Sequence, residues 1–143
     1  MIRNESEYKE ALKRIDEEKK LIKSQRTKLK EKKLKNSALE LAMEPILTFH
    51  QQLIEEVESY EKLKRGQIGE FYNLDGLGRT LIALRIAKGI TQKDLAKKLN
   101  VHETQISRDE RNEYRGASIE KVNSVLNALK VEVVTKLRTL EAG

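Results

Sequence analysis

The stretch that decides the fold reads TQKDLAKKLNVHETQISRDE and occupies residues 91–110. It opens on Thr91 with an acid three residues later at Asp94, a pair typical of the N-terminus of a helix. The residues that follow place their apolar side chains on one helical face. Ala96 provides a small side chain at a point where two helices must cross closely. We therefore expect a short amphipathic helix over residues 92–99.

The second half of the stretch predicts another short helix. After a turn at residues 100–101, this helix is expected to run from His102 to about Arg111 and to be buried through Ile106. Two short helices joined by a tight turn are the plan of a helix-turn-helix unit.

Two further helices are expected to close the core of this unit. An apolar face over residues 80–88 stops at Gly89, and glycine is favoured just past the end of a helix. A fourth helix is expected from Ser118 to about Leu129, because branched apolar residues recur there at helical spacing. The fold predicted for this half of the chain is all-α.

The pattern of polar and apolar residues resembles a known family. Residues 84–110 read LR-x3-GITQ-x2-LA-x2-L-x-V-x4-ISR-x-E, which resembles the Xre family of phage repressors and Cro. The resemblance implies a lambda-repressor-like domain that binds double-stranded DNA. A helical extension ahead of such a domain also resembles the layout of HigA-type antitoxins.

The resemblance implies which residues contact DNA, and the geometry of a helix in the major groove agrees with it. Base contacts are expected from the recognition helix, at Glu103, Thr104, Gln105 and Arg108. Arginine suits guanine and glutamine suits adenine. Phosphate contacts, which position the protein without reading sequence, are expected from Gln92, Lys93, Asn112, Tyr114 and Arg115.

Four other positions are compared with the family. Arg85 and Glu110 resemble its internal ion pair, and we interpret them as a structural link between the first and third helices of the domain. His102 stands at the cap of the recognition helix, where the family usually has a small hydroxyl residue. Asp109 stands where the family commonly has an aromatic residue, and an acid there lowers the positive potential.

The N-terminal part of the chain predicts two long helices. Residues 5–35 are rich in Lys and Glu, and long or apolar side chains recur there at a heptad spacing, at Tyr8, Leu12, Ile15, Lys19, Ile22, Arg26 and Leu29. Pro45 predicts a break or kink, because proline is favoured only at the first position of a helix. A second helix is expected over residues 45–64, with its apolar stripe at Ile46, His50, Leu53, Val57 and Tyr60.

Together these patterns predict a helical hairpin or coiled-coil extension over residues 1–65, a glycine-rich linker over residues 66–76, and a DNA-binding domain over residues 77–143. Packing within one chain and packing between two chains would use the same stripes, so both stay open. Residues 70–74 and 131–134 are strand-like and could pair. The alternative is a final helix over residues 132–140.

Composition limits the classes of function. The chain has 29 basic and 23 acidic residues and a formal net charge of +6, which favours a polyanionic partner such as DNA. It has no cysteine, and its two histidines lack companions at metal-ligand spacing, so neither a disulfide nor a zinc site is predicted. No catalytic arrangement and no cofactor are predicted. No apolar run is long enough for a membrane span, so a cytoplasmic location is expected.

These observations predict a transcriptional regulator and not an enzyme, most simply a dimeric repressor whose dimer element is the N-terminal hairpin. Two alternatives stay open: an antitoxin that binds a toxin and represses its own operon, and a coiled-coil adapter that does not bind DNA.

Overall fold

The computed structural model describes residues 1–139, and this range contains helices but no strands. The helices are α1 (Glu5–Glu31), α2 (Asn36–Lys64), α3 (Leu77–Ala87), α4 (Gln92–Leu99), α5 (Glu103–Arg111) and α6 (Ile119–Leu129). The chain divides into two compact units, the first spanning Met1–Gln67 and the second beginning at Ile68. The all-α prediction is confirmed. The last four residues of the predicted domain, 140–143, lie outside the described residues.

The first unit is an antiparallel hairpin of α1 and α2 within one chain. The Tyr8 hydroxyl on α1 donates to the Glu61 carboxylate on α2 over 2.7 Å. Further along the hairpin, His50 Nδ1 lies 3.0 Å from Glu18 Oε2. As residue numbers rise on α1 they fall on α2, which makes the pairing antiparallel.

The predicted seam of α1 was correct at every second position and wrong by one residue between them. Tyr8, Ile15, Ile22 and Leu29 are each partly buried against α2, but Leu12 is 42% exposed, and Lys19 and Arg26 are exposed. The residues turned inward instead are Ala11, Glu18 and Gln25. The predicted seam and the observed seam both alternate steps of three and four residues along α1. They differ only in which of the two steps follows Tyr8. Glu18 has the character of a surface residue in sequence, and its pairing with His50 depends on the position of α2.

The predicted break at Pro45 was wrong. A single helix runs from Asn36 to Lys64 with Pro45 inside it. Proline removes one hydrogen bond and crowds the preceding turn, at a cost of about 3 kcal/mol. Leu39 and Met43 are buried ahead of the proline, and burying two such side chains offsets a cost of this size. The connection between α1 and α2 is therefore at residues 32–35, earlier than predicted.

The second unit packs α3–α6 around one apolar core. Its fully buried side chains come from all four helices: Leu81, Ile82, Leu95, Ile106, Val125 and Leu129. α3 ends as predicted, because Gly89 takes a positive φ of 65° and the Ile90 N–H donates back to the Arg85 carbonyl over 3.1 Å. α6 begins at Ser118, whose hydroxyl accepts from the Lys121 N–H.

The predicted pairing of two strands was wrong. The alternative prediction of a final helix was also wrong within the described residues. Residues 70–74 and 131–139 have neither strand nor helix. α6 stops at Lys130, which adopts the left-handed conformation, and the Val131 N–H donates back to the Leu126 carbonyl. Val134 is exposed beyond this cap. A β-branched sequence does not form a strand without a neighbouring strand to pair with. Residue 140, the end of the alternative helix, lies outside the described residues.

Gly78, in the first turn of α3, allows the chain to approach itself closely. A Cβ atom at this position would lie 1.8 Å from the Glu113 carbonyl oxygen. We expect Gly78→Ala to lower the free energy of unfolding by about 1–3 kcal/mol or more, because backbone must move to relieve the overlap. Thermal and urea denaturation measure this effect. Gly69→Ala is the matched control, since nothing lies within 4 Å of its added Cβ. Equal stability of the two variants would contradict the close approach.

Candidate DNA-binding surface

α4 and α5 form the two-helix unit predicted from the deciding stretch. The Thr91 hydroxyl caps α4, accepting from the Asp94 N–H over 3.0 Å and donating to the Asp94 carboxylate over 2.7 Å. The hydrogen bond from this hydroxyl lowers the pKa of the Asp94 carboxyl. The turn that follows depends on Asn100, which adopts the left-handed conformation that asparagine tolerates well. The Val101 N–H then closes the turn by donating to the Ala96 carbonyl.

The two faces of α5 differ sharply. The inner face buries Ile106 and Glu110 in the core of the second unit. The outer face carries the residues predicted to contact bases, and all are exposed: Glu103, Thr104, Gln105 and Arg108. α5 is therefore fixed by its inner face and presents four polar side chains to the outside.

A buried polar network joins the C-terminal end of α5 to the rest of the domain through Glu110. The Arg85 guanidinium on α3 donates to both Glu110 oxygens through Nε and Nη2, and its Nη1 donates to the Ile90 carbonyl over 2.9 Å. The Gln92 amide donates to Glu110 Oε2 over 2.7 Å. Arg85 and Glu110 thus lie where the sequence placed the internal ion pair, and their contact ties α3 to α5.

Gln92 lies at the first turn of α4 and is only 9% exposed. Its side-chain amide is engaged with Glu110, so the contact seen in the structure is the brace to the recognition helix. Lys93, the next residue, is exposed and free to point toward a phosphate.

The loop after α5 holds three of the residues predicted to contact phosphates. Asn112 and Arg115 are exposed, and the Asn112 amide donates to the Arg115 carbonyl over 3.1 Å. Tyr114 differs from these two, because it is only 7% exposed and burial raises the pKa of its hydroxyl. Glu113 and Tyr114 both take positive φ angles in this loop.

One contact at the surface was not foreseen from sequence. The Lys121 ammonium on α6 lies 2.6 Å from Asp109 Oδ2. The Gln105 amide donates to the other oxygen, Oδ1, over 3.0 Å. Asp109 is therefore paired, and it also holds one of the side chains expected to read bases. No sequence signal pointed to Lys121, because its nearness to Asp109 depends on how α6 packs on the domain.

The part of the chain that the structure describes has neither a metal-binding cluster nor a membrane-spanning helix. Within residues 1–139, no group of His, Asp and Glu side chains is arranged to hold a metal ion. None of the helices in the described range is both long enough and apolar enough to cross a membrane.

Residues 81–135 match the family model described as helix-turn-helix. The match supports an Xre-like helix-turn-helix family for this part of the chain, and with it a DNA-binding transcription regulator. No curated protein and no solved structure gives a significant match. The helix-turn-helix match begins within α3 and covers α4–α6 completely.

The buried network predicts a non-additive effect of mutation. Arg85→Met should lower the free energy of unfolding by roughly 3–5 kcal/mol, because it leaves the Glu110 carboxylate buried without its cation. The double variant Arg85→Met with Glu110→Leu should lose less, because no charge is then left unpaired. Urea denaturation measures both. Arg115→Met, which removes an exposed guanidinium, is the control and should change stability little. A double variant as unstable as the sum of its single variants would contradict the pairing.

The cap of α5 predicts a stabilising change. His102 occupies the N-cap position with suitable backbone angles, but its side chain makes no capping hydrogen bond. We expect His102→Ser to raise the free energy of unfolding by about 0.5–1 kcal/mol, because serine can accept from a backbone N–H in the first turn. Thermal denaturation measures the gain. Ser118→Ala, which removes the cap of α6, should lower stability by a similar amount. A destabilised His102→Ser protein would show that histidine has another structural role.

Proposed function

We propose that this chain is a sequence-specific repressor that binds double-stranded DNA as a dimer, with α5 in the major groove. One observation carries the proposal: the outer face of α5 is polar and exposed along its whole length, while its inner face is fixed in the core by Ile106 and Glu110. A rigid helix that presents side chains in this way matches the docking of helix-turn-helix proteins, whose second helix lies in the major groove. A cytoplasmic location accompanies this proposal.

Base recognition is assigned to the four exposed residues on α5. The Arg108 guanidinium can donate two parallel hydrogen bonds to O6 and N7 of guanine. Gln105 can pair in the same manner with adenine, and the Glu103 carboxylate can accept from the amino group of cytosine. Gln105 is already held by Asp109, so less rotamer freedom is lost when it binds, a saving of about 0.5–1.5 kcal/mol for a fully ordered side chain.

Phosphate contacts are assigned to exposed residues on either side of α5. Lys93 lies at the start of α4, and Asn112 and Arg115 lie in the loop after α5. The N-terminus of α4 adds backbone N–H groups and the positive end of a helix dipole, which favour a phosphate. Gln92 contributes indirectly, by bracing Glu110 at the inner face of α5. Tyr114 is omitted from this set because it is buried.

A dimer follows from the small size of the DNA-binding domain. One short recognition helix reads only a few base pairs, and a symmetric pair doubles the contacts. In such dimers the recognition helices lie about 34 Å apart, one turn of DNA, and the site is an inverted repeat. The proposed operator is therefore a palindrome with half-sites spaced by one helical turn.

Selection of binding sites from random DNA, followed by gel-shift titration, tests the proposal. Arg108→Ala should cost about 1–3 kcal/mol and relax preference at one base pair in each half-site. Lys93→Ala should weaken binding to all sequences about equally and reduce the salt dependence, because it removes a phosphate contact. Lys130→Ala, a change outside the proposed surface, is the control and should leave both properties unchanged. An Arg108→Ala protein with unaltered site preference would remove the guanine assignment.

The two alternatives differ in measurable ways. An antitoxin would share the DNA-binding half and give the hairpin a foreign protein partner, so a small toxin-like reading frame beside the gene and co-purification of its product would favour it. A coiled-coil adapter would show no salt-sensitive DNA binding. Site selection therefore separates the adapter from the other two.

A further inference from the structure

A chain of polar contacts links α6 to the outer face of α5. The Lys121 ammonium lies 2.6 Å from Asp109 Oδ2, and the Gln105 amide donates to Asp109 Oδ1 over 3.0 Å. Gln105 and Asp109 are four residues apart and therefore lie on the same side of α5. Gln105 is exposed, whereas the Asp109 side chain is only 14% exposed. The inner member of this chain is thus Asp109, and the outer member is Gln105.

The Asp109 carboxylate offers one oxygen to each of its two partners. Oδ2 is turned to the Lys121 ammonium, so Oδ1 is the oxygen that remains for Gln105. Lys121 belongs to the first turn of α6, where the Ser118 hydroxyl accepts from the Lys121 N–H over 3.1 Å. The position of the Asp109 carboxylate is therefore defined by α6 as well as by α5.

This carboxylate determines which way the Gln105 amide points, because a carboxylate can only accept hydrogen bonds. Gln105 Nε2 must face Asp109, since Oε1 in that place would bring two acceptors together. Oε1 is therefore directed away from Asp109. Nε2 carries two hydrogens, and the contact with Asp109 uses one of them. One acceptor and one N–H of Gln105 remain for a ligand, in a defined arrangement.

We infer that Asp109 and Lys121 are positioning residues that make Gln105 select adenine in the major groove. Only adenine and cytosine present a donor there, through N6 and N4, and only these two bases can donate to Gln105 Oε1. Adenine also presents N7, which can accept the remaining N–H. Guanine and thymine present the acceptors O6 and O4, which the Gln105 oxygen does not bind.

A glutamine without such a neighbour can adopt either of two amide orientations. Half a turn of the amide exchanges Oε1 and Nε2, so the same side chain can meet a base amino group or a base carbonyl. The Asp109 carboxylate removes one of these orientations before DNA is present. The inference rests on the proposed function, which places Gln105 in the major groove, and it adds the groups that decide which base Gln105 reads.

Site selection and gel-shift titration with variants of the full chain test the inference. Gln105→Ala identifies the base pair that Gln105 reads, as the one at which preference is lost. Asp109→Asn should lower the preference for adenine over guanine at that base pair about tenfold, because an amide can donate as well as accept and permits both orientations of Gln105. Preference at the base pair read by Arg108 should not change.

The loss of a negative charge needs a control, because it also reduces the repulsion of phosphates. Asp109→Asn should tighten binding to all sequences, and Lys121→Met should weaken it. Both should nevertheless lower the preference for adenine, Lys121→Met by the smaller factor, because Asp109 stays but loses the contact that holds it. Glu113→Gln is the matched control, since Glu113 is paired with two arginines. It should tighten binding and leave every base preference unchanged.

A double variant tests whether Asp109 acts through Gln105. In the Gln105→Ala protein, Asp109→Asn should change no base preference, because the side chain that it positions is absent. Unaltered preference in the single Asp109→Asn protein would overturn the inference. A change of preference that persists in the double variant would overturn it as well. Circular dichroism checks that each variant keeps its helices.

A measurement without DNA separates this inference from the proposed function. NMR relaxation should show a more ordered side-chain amide for Gln105 than for Gln52, an exposed glutamine of α2, and Asp109→Ala should remove the difference. A Gln105 amide as mobile as that of Gln52 refutes the inference and leaves the proposed function standing if the protein still selects DNA. A wild-type protein that selects no DNA sequence refutes the proposed function, and the selection of adenine fails with it.

Discussion

The pairing of the Glu110 carboxylate inside the second unit is the constraint on which the DNA-binding surface depends. A buried charge is tolerated only when it is paired and hydrogen-bonded. Glu110 meets this requirement with the Arg85 guanidinium from α3 and the Gln92 amide from α4. The same guanidinium also reaches the Ile90 carbonyl in the turn between α3 and α4. The position of α5 is therefore fixed relative to both preceding helices. The contacts of its inner face determine which side chains of α5 are exposed on its outer face.

The recognition surface follows from this fixed helix and from contacts at its rim. Asp109 lies next to Glu110 in sequence, and it receives the Lys121 ammonium and the Gln105 amide. An acid at this place would repel a phosphate if it were unpaired, and the lysine from α6 compensates its charge. Gln105, to which we assign a base contact, is thus already hydrogen-bonded before DNA is present. In the loop after α5, the Asn112 amide donates to the Arg115 carbonyl. This hydrogen bond limits the conformations from which the two residues would make the proposed contacts to DNA phosphates.

The hairpin of the first unit is organised by different interactions. Its seam contains polar pairs, Glu18 with His50 and Tyr8 with Glu61, and a contact of the Tyr8 and Tyr60 rings whose centroids are 5.1 Å apart. On the α1 side of the seam, small and polar side chains alternate with Tyr8, Ile15, Ile22 and Leu29. α2 is the more apolar helix, and it presents hydrophobic residues both toward α1 and away from it. On the second face, Leu41 and Phe49 are exposed within residues 1–139.

Local sequence was sufficient for the elements whose boundaries are marked by caps and turns. Thr91 with Asp94 marked the start of α4, Gly89 the end of α3, and Ser118 the start of α6. The apolar stripe of α2 beyond Pro45 was also predicted from its helical spacing. Two of its members, Val57 and Tyr60, are buried in the structure. By contrast, the continuation of α2 through Pro45 depends on the burial of Leu39 and Met43, which requires knowledge of where α1 lies. The same dependence explains why Leu12, Lys19 and Arg26 were assigned to the seam in place of their neighbours.

The sequence by itself determined the all-α class, the helix-turn-helix register and the four polar residues on the outer face of α5. These features follow from hydrogen bonds and periodicities within about ten residues of chain. Only the tertiary structure decided that Tyr114 is buried, that Asp109 is paired with Lys121, and that the hairpin closes within one chain. Each of these depends on contacts between residues far apart in sequence, whose energy is gained only when whole helices have packed.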